Sequence, residues 1–389
     1  MERSLEEVEN IREFAKLDRS DLKPVVQCIH FGSSLENDSY SLLEVDAAIL
    51  KDIEAGERLI VRGEKSDSAV LCTGERTYDL RCAETSNSLL LLPEVQMPGT
   101  MDQENISITQ NVVLAVKHEY YELRSTKPKM RRLKELLQEN VYSGPECEDD
   151  EEHQGKKYTF DELLDHVQAS QEELRAGIQS LQAVQFQGFV RLLDFDFMWK
   201  VMNHIVSLTD EQSWGYDAVP YDECCNILED LYPRDIVSHV LQHITEPVEN
   251  GEGERTRKLN EDAICRFYAE LILKPTEKFN LSEFLEAWQL AVPEGMKTGL
   301  YQLEGVALVM RDSNPEVIKY FPVHDLPEDV NERFSHLFKT KQKWTFDEIS
   351  PFVKDLATAK LSVSALLTKF ARASTQDGIK VYSSKKQIS

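Results

Sequence analysis

The side chains of this chain that could do chemistry are spaced against catalysis. Gly56 and Gly63 precede Lys65, but not at the spacing of a Gly-x-x-x-x-Gly-Lys-Ser/Thr loop, so no phosphate cradle is expected there. Gly-x-Gly-x-x-Gly, Gly-x-Ser-x-Gly and His-Glu-x-x-His do not occur. His239 and His243 stand four apart, a spacing two metal ligands can use on a helix. No glutamate of a His-Glu-x-x-His pattern accompanies them, so two exposed histidines are the expectation. The 69 acids against 44 bases guarantee accidental carboxylate pairs, which therefore carry no argument for acid/base catalysis. The seven cysteines are odd in number and include no Cys-x-x-Cys. Neither a disulfide frame nor a zinc finger is expected, and the setting is a reduced, intracellular one. No enzyme, cofactor or metal is predicted.

Cations offer a better lead. The net charge of −25 argues against nucleic-acid binding by the whole surface. From Lys339 to Ser389, however, ten Lys/Arg face four Asp/Glu, a net +6, so the preceding 338 residues carry −31. In that tail Lys369 and Arg372 are predicted on one face of a helix over Ser362–Ala373, backed by a stripe of Val363, Leu366, Leu367 and Phe370. Lys380 follows on a returning strand after the hairpin signal Asp377-Gly378, and Lys385 and Lys386 extend the patch. A second basic stretch, Arg124, Lys127, Lys129, Arg131, Arg132 and Lys134, is read as a helix between Tyr120 and Tyr142. It serves as a solvated linker, a phosphate contact or an import signal.

The elements that position these groups repeat. Tyr158-Thr159-Phe160-Asp161-Glu162-Leu163, Phe279-Asn280-Leu281-Ser282-Glu283-Phe284 and Trp344-Thr345-Phe346-Asp347-Glu348-Ile349 each place an aromatic before a helix-capping Thr or Asn. After each come a helix, a polar break, a second helix and strand-like residues, the order of a winged helix. Repeats of this kind decide a fold reading. The predicted class is α+β. Residues 1–119 are a β-rich, barrel-like domain; 120–194 hold the basic helix and a first winged helix. Residues 195–275 are a degenerate winged helix, 276–325 another, and 326–389 a basic C-terminal one. The acidic run from Glu146 to Glu152 is expected to stay a free loop by self-repulsion, and Gly251-Glu252-Gly253 marks another loop. In the first domain the strands are Val25–Phe31, Tyr40–Val45, Arg58–Arg62, Ala69–Cys72, Tyr78–Cys82, Ser88–Leu92 and Ile106–Val116, with one helix at Asp46–Ala55. Ser88–Leu92 is apolar on both faces. It is either a central strand or one whose second face or open edge a partner covers. No apolar run, Leu89–Leu92 included, approaches the roughly 20 residues of a membrane helix.

Arg76-Thr77-Tyr78-Asp79-Leu80-Arg81 with Thr85–Leu91, Tyr121-Glu122-Leu123-Arg124 with Pro128–Lys134, Pro293–Met296, the Trp344 segment and Gly378–Tyr382 resemble the defective-in-sister-chromatid-cohesion protein one family. Ser125, Thr126 and Met130 interrupt the basic run expected in its hinge. The resemblance implies a non-catalytic accessory subunit of an alternative replication factor C clamp loader, in the nucleus. It implies that a β-rich N-terminal domain joins the loader's large subunit and a small third subunit in a triple barrel, with Tyr78, Leu80, Leu89 and Leu91 as partner-facing candidates. It further implies binding of the DNA polymerase epsilon catalytic subunit and of single- and double-stranded DNA. The sliding clamp would be engaged indirectly, in support of sister chromatid cohesion. A transcription-type factor and a trafficking scaffold also use tandem winged helices. DNA binding separates the last from the others, and co-purification with loader subunits separates the first two.

Overall fold

Most helices among the described residues begin where a short polar side chain accepts from a first-turn amide; those starting after Met130, Pro220 and Pro233 do not. The computed structural model describes residues 4–18, 20, 25–65, 67–93, 95, 107–148, 155–248, 255–358, 361–376 and 378–385. It divides into two units, Met1–Pro128 with Gln168–Glu173, and Lys129–Val167 with Leu174–Ser389.

In the first unit, α1 (Leu5–Phe14) starts at a Ser4–Glu7 capping box, and its apolar residues Val8 and Ile11 are exposed. β1 (Val25–Phe31) lies parallel to β5 (Ser107–Val113). α2 (Ala47–Glu54) is capped by Asp46, whose carboxylate accepts from the amides of Ala48 and Ile49. β2 (Ile60–Arg62), β3 (Val70–Cys72), β4 (Thr77–Leu91) and β6 (Ala115–Ser125) form an open antiparallel sheet in the order β2-β3-β4-β6. Three expectations change. Tyr40–Val45 contributes only a single bridge, Leu43 to Tyr121. Tyr78–Cys82 and Ser88–Leu92 are halves of one long strand. The stretch after Tyr120, expected as a basic helix, continues as β6 to Ser125, and the helix starts only at Arg131: of the six bases only Arg124 lies on the strand, where Tyr121 and Leu123 alternate with Glu122 and Arg124. The core is small, built on Ile49, Leu71 and Tyr78. Of the aliphatic side chains on α2, Ile49 is buried while Leu50 and Ile53 are exposed.

The second unit runs through four similar successions. The first has α3 (Arg131–Gln138), α4 (Phe160–His166), α5 (Gln171–Ser180) and a hairpin of β7 (Val184–Phe186) and β8 (Phe189–Arg191) turning at Gly188, whose φ is +83°. The second has α6 (Phe195–Glu211), β9 (Val219–Pro220), α7 (Tyr221–Leu228), α8 (Arg234–Ile244), β10 (Thr245–Pro247) and β11 (Thr256–Leu259). The third has α9 (Glu261–Leu273), β12 (Phe279–Asn280), α10 (Leu281–Ala291), a 3-10 turn at Leu300–Leu303, β13 (Ala307–Met310) and β14 (Val317–Tyr320). The fourth has α11 (Val330–Thr340), β15 (Trp344–Thr345), α12 (Phe346–Ile349), α13 (Val363–Phe370), β16 (Ala371–Gln376) and β17 (Ile379–Ser384).

The repeated six-residue pattern has one structural job. Its aromatic pairs with the second strand of the following hairpin, and its polar residue caps the next helix. Phe279 pairs with Ile318 and Trp344 with Tyr382, while Tyr158 bridges Val190. Thr159 and Thr345 close capping boxes with Glu162 and Glu348, and the Asn280 side chain accepts from the Ser282 and Glu283 amides. A fourth copy, Val219-Pro220-Tyr221-Asp222-Glu223, occupies the same place, with Val219 paired to Arg257. α9 packs with α10 and β14: Trp288 donates to the Cys265 carbonyl at 2.7 Å and Tyr320 to Glu270 at 3.2 Å. The domain boundary expected at residue 275 thus falls inside one succession. One apolar core spans the first three, from Tyr142 to Ile318, and a second fills the fourth around Phe334, Trp344 and Leu367.

The acidic loop is anchored at its start. Pro145–Cys147 form a 3-10 turn, and Glu148 receives Arg191 at 2.9 Å and Lys157 at 2.5 Å. Arg191 is buried, and Glu148 compensates the charge of its guanidinium. Asp149–Glu152 and Gly251–Gly253 lie outside the described residues. No helix among the described residues is long and apolar enough to cross a membrane.

Candidate functional site

The first candidate surface is the sheet around β4. β3 covers only its beginning, pairing Val70–Cys72 with Thr77–Asp79, and β6 runs along its other side. From Arg81 to Leu91 the outer edge of β4 has no strand partner among the described residues. Ser88–Leu92 is therefore an edge segment, not the centre of the sheet, and Leu89 and Leu90 are 36% and 42% exposed. The register slips between Glu84, opposite Glu119, and Leu89, opposite Lys117. Simple alternation puts Tyr78 and Leu80 on one face and Leu89 and Leu91 on the other. The bulge reverses the second pair. Tyr78, Leu80, Leu89 and Leu91 are opposite Ser125, Leu123, Lys117 and Ala115, which alternate along one strand and so share one face. The four differ in access: Tyr78 is buried in the unit's own core, Leu80 and Leu91 are half-buried, and Leu89 is exposed. Tyr121 and Leu123 belong to the same face, and only a strand reading of their segment brings them there.

The second candidate surface is the terminal hairpin. α13 ends at Phe370, with Ser362 capping its start, so Arg372 lies on β16 and not beside Lys369 on a helix. Opposed residues of an antiparallel pair share a face. Arg372 opposes Ser383, while Lys380 opposes Thr375 on the face that carries buried Ala371 and Tyr382. The predicted single basic face is thus divided: Arg372 shares its face with Val381, and the Lys380 ammonium lies 5.3 Å from the Tyr382 ring centroid on the other side. The Lys369 ammonium sits 5.2 Å from the Phe370 ring centroid. Lys369, Arg372 and Lys380 are exposed and form no ion pair among the described residues. Lys385 has a different role. Its ammonium donates to the carbonyls of Thr368 and Lys369 at 2.8 and 2.7 Å, satisfying the orphan acceptors at the end of α13. Lys386 lies outside the described residues. Lys343, which the predicted patch does not include, reaches Gln376 at 2.9 Å, on the Arg372 face of the hairpin. Its signal in the sequence is its place just before the repeated motif.

The basic hinge is largely neutralised. Arg124 pairs with Glu122, Arg131 with Glu135, and Lys134 with Asp325 at 2.8 Å. Two of the buried thiols are unsuited to nucleophilic chemistry: burial pushes Cys224 up to about 12 and Cys265 to about 11, so neither is a thiolate near neutrality. All seven cysteines are free, and no group of three or more potential ligands among the described residues could hold a metal ion.

The family model for the sister chromatid cohesion protein Dcc1 matches residues 40–353. The chain is 44% identical to sister chromatid cohesion protein DCC1 of Xenopus tropicalis over 392 residues, covering all of both chains. It is 41% identical to the Homo sapiens protein of that name, again over the whole of both. Against the Saccharomyces cerevisiae protein the identity is 22%, over 88% of this chain and 96% of the other. The chain belongs to the Dcc1 family of sister chromatid cohesion proteins.

Proposed function

We propose that this chain is a non-catalytic accessory subunit of the alternative, cohesion-linked replication factor C clamp loader, acting in the nucleus. Its first unit joins the loader's large subunit and small third subunit. The four successions of the second unit are winged helices that meet the DNA polymerase epsilon catalytic subunit and DNA, and the sliding clamp is engaged through the loader. The observation that carries this reading is the uncovered edge of β4 from Arg81 to Leu91. Beside it Leu89 and Leu90 are exposed on a unit whose own core is small. An open apolar edge is a template for another chain's strand. The helix–strand–helix–helix–hairpin order, with the short strand paired to the hairpin's second strand, supports winged helices. In that class the hairpin touches the nucleic-acid backbone, and the exposed Arg372 and Lys380 supply its charge.

Co-expression of the full chain with the large subunit's tail and the small third subunit tests the assembly. Wild type is expected to co-purify with both, and Leu89→Asp to co-purify with neither while keeping its own melting temperature. Normal co-purification of that variant sinks the edge reading. For DNA, the affinity of short single- and double-stranded oligonucleotides is measured across a salt series. Arg372→Ala with Lys380→Ala is expected to weaken binding and flatten the slope by roughly one unit per lost phosphate contact. An unchanged slope moves the DNA site elsewhere.

A further inference from the structure

Within the second unit, a cleft of 490 Å³ opens between residues of the first and second successions. α5 contributes Arg175, α8 contributes His239 and His243, and β11 contributes Arg257. Gln185 of β7 lies at the rim, and Phe160 and Ile178 line the apolar part. Among the described residues no carboxylate lines it, in a chain with 69 acids against 44 bases. The two histidines, expected to be exposed, are partly buried here. His239 donates to the Gln182 carbonyl at 3.0 Å, and burial holds both imidazoles below their ordinary range.

Arg257 is the decisive group. Its Nε donates to the Thr245 hydroxyl at 2.5 Å, and one terminal nitrogen to the Thr245 and Gln242 carbonyls at 3.1 and 3.5 Å. The other terminal nitrogen makes no hydrogen bond, and the guanidinium has no carboxylate partner among the described residues. A half-buried guanidinium oriented by neutral acceptors alone is an uncompensated charge in fixed position, ready to form the strong charge-assisted bonds that phosphate oxygens accept. The cleft's size matches sites for small groups rather than an extended backbone groove.

We propose that this cleft is a receptor for a phosphate monoester dianion, held by Arg257 and Arg175 with Gln185 at its rim. A phosphorylated side chain of a partner and a free mononucleotide carry the same chemistry. The site goes beyond the clamp-loader reading and stands or falls without it. Full-length protein is titrated with a phosphoserine-containing tripeptide, with AMP and with a short single-stranded oligonucleotide, by calorimetry at low salt. Saturable binding of the tripeptide, of AMP or of both is expected, and the stronger of the two identifies the source. Arg257→Gln should weaken it about tenfold or more, the loss of one charge-assisted bond. Gln185→Glu adds a repelling charge at an exposed position without removing a hydrogen bond, and should weaken binding similarly while leaving the melting temperature unchanged; it decides the matter if Arg257→Gln misfolds. No saturable monoester binding up to about 10 mM, unaltered affinity in Gln185→Glu, or binding confined to the oligonucleotide overturns the proposal.

Discussion

Arg333 offers the sharpest quantitative test of how the C-terminal succession is held. The side chain is 2% exposed on α11. It donates to the carbonyls of Pro327 at 2.5 Å and Phe352 at 2.8 Å, and to both carboxylate oxygens of Asp355 at 3.2 and 3.1 Å. The Asp355 side chain is 46% exposed, so the Coulombic part of the pair is solvent-screened and worth about 0–1 kcal/mol. The two carbonyl bonds come from a charged donor, and each is worth about 1.5–3 kcal/mol. Arg333→Met keeps the aliphatic stem and leaves those carbonyls unpaired, but it also removes the cost of burying the cation. The net loss is then about 2–4 kcal/mol. Asp355→Asn keeps the carbonyl bonds and should lose less than about 1 kcal/mol. Urea unfolding of the full chain, followed by near-ultraviolet dichroism of the buried Trp344, reads both variants. Equal losses in the two, or a loss below about 1 kcal/mol in Arg333→Met, would refute the claim that the carbonyl bonds and not the ion pair fix this helix.

Other consequences are equally open to measurement. Tyr78→Ala removes a core ring of the first unit and should cost about 3–5 kcal/mol in melting experiments, unlike Leu89→Asp at the exposed edge. Lys385→Ala uncaps α13 and should speed amide exchange in its last turn, with a stability loss of about 1 kcal/mol, before any effect on DNA is assessed. His239 and His243 have folded pKa values below 6.5, in both cases chiefly through burial. Below that value the unfolded chain binds more protons, so stability is full above about pH 7 and falls as pH drops through 6.5. His239→Gln should flatten that decline in a pH series of denaturation midpoints.

Whatever is decided locally is legible in the sequence. Thr159, Asn280 and Thr345 announce their helices because a cap depends only on residues three or fewer positions away. The hairpins at Gly188 and Gly378 follow from left-handed turns, at φ +83° and +77°, that glycine enters without strain. The fourth copy is hidden because Pro220 and Val219 replace the capping and aromatic residues, although Tyr221-Asp222-Glu223 matches Phe160-Asp161-Glu162 closely. Arg372 is misplaced by local rules because nothing in Lys369-Phe370-Ala371 forbids another helical turn; pairing with Ser383 ends it. The cleft of His239, His243 and Arg257 is out of reach of the sequence, since its members come from elements whose packing no local rule determines.

The slip in β4 has a consequence for how this region can vary. Thr85 to Ser88 oppose a single residue, His118, of the neighbouring strand. Their number sets which way Leu89 and Leu91 face. Lengthening or shortening the segment by one residue turns both leucines over and brings Leu90 to the face that Tyr78 opens, whereas a change of two restores the arrangement. The segment counts odd against even, and the Thr85 hydroxyl, accepting from the Asn87 amide at 3.2 Å, helps set its path.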